Sequence, residues 1–80
     1  MGYTRNEILE HAATVSDHYE RIKKEGDLGA ALRRETIEMI ANAENLAEHA
    51  AQKDMYFTAI TLLTTASRIN RKLIWELIKL

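Results

Sequence analysis

Apolar residues recur along this chain with helical spacing in three consecutive blocks. Ile8, Ala12, Val15, Tyr19 and Ile22 follow one another at intervals of four and three, one seam on a helix. Thr4 and Glu7 precede that seam with the S/T-x-x-E spacing of a capping box, in which each side chain satisfies the other's backbone N–H. Lys23 and Lys24 suit the negative end of the helix dipole, and Gly26 is able to take the left-handed conformation beyond it. A first helix is expected over residues 5–25. Asp27 is placed to cap a second helix, whose seam is Leu32, Thr36, Met39, Ala43, Leu46 and Ala50, widened by Ile37, Ile40 and Ala47. This Ala-rich stripe lets a neighbouring helix approach closely. The third seam is Ala59, Leu62/Leu63, Ala66, Ile69/Asn70, Leu73 and Leu77.

The expected architecture is all-α: an antiparallel three-helix bundle with helices over residues 5–25, 30–52 and 54–79 in a single domain, 1–80. The break between the second and third helices rests on Gln52-Lys53-Asp54, with Asp54 read as the N-cap of the third. No Gly or Pro lies between Gly29 and Leu80, so one helix of about 50 residues, roughly 75 Å long, is the rival. The break is preferred because two antiparallel helices bury Ala-rich faces within one chain.

Residues 46–60, LAEHAAQKDMYFTAI, continuing to Ala66 and Ile69, resemble one tetratricopeptide-type hairpin. Asp54, Ala59 and Ala66 match the turn and two Ala positions of that family. Lys53 stands where the family has Gly, the Tyr is displaced to Tyr56, and the Pro after the second helix is absent. Three helices of comparable length are also similar to the microtubule-interacting-and-trafficking bundle and to small archaeal three-helix families. The resemblance implies a helical hairpin.

Composition narrows the function classes. The chain has 80 residues, 46% hydrophobic and 29% charged, a globular rather than disordered balance. Area scaling leaves roughly 60% of the unfolded surface buried, which is marginal for a monomer of this size. Without Cys there is no disulfide and no thiolate ligand or nucleophile. Ser16 and Ser67 fall inside helices, and Gly2, Gly26 and Gly29 form no phosphate loop, so an enzyme is not expected. No cofactor or metal is expected: Ile8, Val15 and Leu46 precede the three histidines by three positions, where a di-iron bundle needs Glu. His11, His18 and His49 are read as half-exposed surface residues. Arg5 and His11 match the loose R-x(4–6)-H spacing of a helical ribonuclease family, a coincidence in the chain's first two turns. Residues 1–10 lack the apolar core of a secretory signal, and the uncharged run 55–67 is too short for a bilayer, so a cytoplasmic location without membrane association is expected.

Charge and the carboxyl-terminal end carry the remaining signal. A net charge of −1 argues against nucleic acid held by bulk charge. Residues 35–54 nevertheless carry −4 and residues 55–80 carry +3. These opposite charges suit attraction between adjacent helices. Arg68, Arg71 and Lys72 near Trp75 also suit an anion or an acidic partner. Leu73, Ile74, Trp75, Leu77, Ile78 and Leu80 cover most of the last helix's circumference, more than two neighbours shield. Of these, Leu73, Leu77 and Leu80 suffice for an intramolecular seam, which leaves Ile74, Trp75 and Ile78 for an interface. The sequence therefore reads as a non-enzymatic interaction or assembly module. It is expected to form a homodimer or higher oligomer through the third helix, with Leu73, Ile74, Trp75, Leu77 and Ile78 at the contact. The alternatives are a small-ligand or nucleotide-binding bundle using Arg68, Arg71 and Trp75, and an inhibitor or antitoxin-like chain that occupies one protein partner's surface.

Overall fold

A computed structural model describes residues 2–80. It is 84% helical, with α1 (Arg5–Lys23), α2 (Gly29–Gln52) and α3 (Tyr56–Ile78) each packed on the other two. No strand occurs among the described residues. The three helices form an all-α bundle about 40 Å long. The rival single long helix is excluded, because α2 stops at Gln52.

The capping box forms as its spacing dictates. Glu7 N–H donates to Thr4 Oγ1 at 3.1 Å and Thr4 N–H donates to Glu7 Oε1 at 2.9 Å. The bond from Thr4 N–H holds the Glu7 carboxyl below its ordinary range by favouring the charged form. Three side chains of the first seam, Ile8, Val15 and Ile22, enter the core. From α2 come Ala43, Leu46, Ala47 and Ala50, and from α3 Ala59, Leu62, Ala66, Ile69 and Leu73. Alanines on both facing helices bring α2 and α3 close.

Both turns depart from the caps that the sequence suggested. Asp54 is not an N-cap; Met55 holds that position, with no side-chain cap. Asp54 instead has φ 59 and follows α2 in the left-handed conformation. Met55 N–H donates to the Ala50 carbonyl at 2.9 Å and Asp54 N–H to that of Ala51 at 3.0 Å, the paired bonds of a Schellman motif. Asp tolerates the left-handed region better than most residues, so one residue type serves either role. Asp27 makes no cap either: Leu28 begins α2 without a side-chain bond. The left-handed glycine at this turn is Gly29 (φ 73), not Gly26.

Candidate interaction surface and basic cleft

The end of α3 divides into three groups. Leu73 is buried in the bundle's own core and is unavailable to a partner. The next inward position, one turn on, belongs to Glu76 rather than to Leu77, which is 49% exposed, or Leu80. The +4, +3 rhythm of Ile69, Leu73 and Glu76 carries the signal for this placement. An acidic residue in that register was missed because its partner lies far away in sequence.

Glu76 is 2% exposed. Its Oε2 accepts from Leu28 N–H at 3.5 Å, and its Oε1 lies 3.4 Å from Lys72 Nζ. Lys72 Nζ also donates to the Glu25 carbonyl at 3.0 Å. Burial pushes the Glu76 carboxyl up, but the Leu28 N–H and the Lys72 ammonium outweigh it, so its pKa lies below the usual value. Glu76 and Lys72 thus fasten the loop before α2.

Ile74 and Leu77 lie on the side of α3 toward α2. At 100° per residue, Tyr56, Ile60, Leu63, Ile74, Leu77 and Ile78 share one stripe of α3, and Leu63 lines a shallow groove with Ile40 and Glu44 of α2. Ile37 of α2 is exposed on the same flank. The resulting α2–α3 face carries two aliphatic clusters, Ile60 with Leu63 and Ile74 with Leu77 and Ile78, separated on α3 by Ser67 and Asn70.

Trp75 belongs elsewhere. With Tyr19 and Lys23 of α1, and with Arg68, Arg71 and Lys72, it lines a cleft of about 310 Å³ between α1 and α3. The fold therefore brings Trp75 together with all three cations suggested by the sequence and separates it from Ile74. Arg68 and Arg71 make no hydrogen bond or ion pair among the described residues. Lys23 sits 5.3 Å from the Tyr19 ring centre and 3.2 Å from Glu20.

The histidines also differ from one another. His18 is a core residue, 5% exposed, which corrects its reading as a surface side chain. It extends the Val15–Ile22 seam, and only its polar character argued for the surface. The Thr36 hydroxyl donates to the Leu32 carbonyl at 2.6 Å, so its oxygen accepts from His18 Nε2–H at 3.0 Å. That leaves His18 Nδ1 to accept from Arg21 at 3.5 Å, and Arg21 is paired with Glu35 at 3.0 Å. Burial, followed by the Arg21 charge, holds the His18 pKa below its ordinary value against the opposing pull of Glu35. His11 and His49 flank Tyr3, whose ring meets both edge-on at 5.3 and 5.1 Å. Arg5 donates to the Lys53 carbonyl at 2.7 Å, so Arg5 serves the end of α2.

No helix is long and apolar enough to cross a membrane among the described residues. Comparison with protein-family models, curated proteins and solved structures gives no match.

Proposed function

We propose that this chain is a non-enzymatic assembly module that acts as a homodimer through its α2–α3 face. The observation that carries the reading is the set of exposed aliphatics Ile37, Ile60, Leu63, Ile74, Leu77 and Ile78 on adjoining helices. Their exposed area sums to roughly 600 Å² over two clusters on either side of Ser67 and Asn70, comparable to the largest apolar patches on monomers. With a polar rim, that approaches the roughly 800 Å² per partner of a stable interface. The chain's 5445 Å² of surface also exceeds the roughly 4,900 Å² of a compact monomer of its mass.

Charge favours a second copy as the occupant. Glu44 and Glu48 of α2 border the face in the half nearer the start of α3, and Arg33 borders it in the half nearer the end of α3. A two-fold axis across the face pairs the basic end of one copy with the acidic end of the other. Sedimentation tests this. The wild-type chain sediments as a dimer at about 100 μM, and Leu63→Glu with Ile74→Glu gives a helical monomer. A wild-type monomer at that concentration overturns the proposal.

A further inference from the structure

We infer that the cleft between α1 and α3 binds a phosphorylated planar ligand of the nucleoside monophosphate class. Its lining combines two aromatic rings, Tyr19 and Trp75, with four cations, Lys23, Arg68, Arg71 and Lys72, and no carboxylate. Arg68 lies three residues before Arg71 and four before Lys72, spacings at which like charges on a helix repel. Two of the four cations are partly committed, Lys72 to Glu76 and Lys23 to Glu20. Arg68 and Arg71 have no carboxylate partner among the described residues. A chain with a net charge of −1 therefore concentrates about two uncompensated positive charges in one cleft. A phosphomonoester carries about −1.5 to −2 at neutral pH and matches that excess.

Shape and chemistry select the rest of the ligand. Arg presents a planar fork that suits two phosphate oxygens at once. Trp75 follows Arg71 by one helical turn, so an indole face lies beside the anion site on the same stretch of α3. A heteroaromatic base stacks on such a ring with a contribution of about 1–3 kcal/mol per base. A volume of about 310 Å³ sits at the lower edge of small-molecule pockets and holds one nucleotide rather than an oligomer. The site lies on the α1 side of α3, so it does not depend on the proposed dimer face.

Trp75 is the only Trp in the chain, so its emission reports on this cleft alone. The experiment titrates the full chain with adenosine monophosphate, adenosine and inorganic phosphate, by fluorescence and calorimetry. The expected result is saturable binding of the monophosphate below about 1 mM, with adenosine and phosphate each at least about tenfold weaker. Arg68→Ala and Arg71→Ala each weaken binding about tenfold or more with unchanged circular dichroism, and Leu63→Glu leaves it intact. No saturable binding by about 10 mM overturns the inference. Equal affinity for phosphate and the monophosphate overturns the role of the aromatic wall. Tighter binding of single-stranded oligonucleotides, with a salt dependence of more than about two phosphates, overturns the single-nucleotide reading.

Discussion

His18 of α1 and Thr36 of α2 share a buried hydrogen bond of 3.0 Å, and the onward bond from Thr36 to Leu32 fixes its direction. The imidazole is neutral, donates through Nε2 and accepts through Nδ1. Thr36→Val preserves shape but strands a buried N–H donor, and is expected to cost about 1–3 kcal/mol in urea unfolding.

The same pair makes stability depend on pH. The folded state holds the His18 pKa below its unfolded value of 6.5, so the unfolded chain binds more protons as pH falls. The stabilisation is complete above the unfolded value and is lost as pH drops through 6.5 toward the folded pKa. The urea midpoint is expected to fall between pH 7.5 and 5.5 in the wild type, and to fall less in His18→Phe.

At Asp54 the two turn readings give opposite signs. An N-cap loses a few tenths of a kcal/mol on change to Gly. A left-handed residue instead gains roughly 1 kcal/mol from Gly, which has no Cβ to clash, and this exceeds the loss of the exposed bond from Tyr56 O–H to Asp54 Oδ1. Thermal unfolding of Asp54→Gly is expected at a higher temperature than wild type.

Glu76→Gln removes the charge that holds Lys72 and weakens the bond to Leu28 N–H. The variant is expected to be less stable at pH 7. Because the folded carboxyl titrates below its unfolded value of 4.5, the wild-type advantage is present above that value and is lost as pH falls through the folded pKa. Chemical unfolding at pH 7 and pH 3 checks both the gap and its closure.

Ala43 is fully buried where the helices come together. Ala43→Leu forces extra methylenes into that space and is expected to cost about 1–3 kcal/mol, read from the denaturant midpoint.

The three helices, their seams and the Thr4–Glu7 box were legible because each signal spans a few residues of one helix. His18 and Glu76 were not, since polar side chains enter a core only with partners, and Thr36 and Leu28 lie 18 and 48 residues away. Asp54 was ambiguous because Asp favours both an N-cap and a left-handed turn. For the candidate sites, Arg68, Arg71 and Lys72 were grouped with Trp75 because all four fall within one eight-residue stretch of the chain. The split between Trp75 and Ile74 depended on which neighbour, α1 or α2, each side of α3 meets.

Arg5 to Lys53, Lys72 to Glu25 and Glu76 to Leu28 are clasps between residues nearly fifty positions apart, one at the turn before α3 and two at the turn before α2. Each turn is thus held by the helix that does not belong to it. Opening either hairpin at its turn therefore breaks a bond to the third helix. The Leu28 amide hydrogen, bonded to the buried Glu76 carboxylate, is then expected to exchange more slowly than those of Gly26 and Asp27, which have no hydrogen-bond acceptor among the described residues.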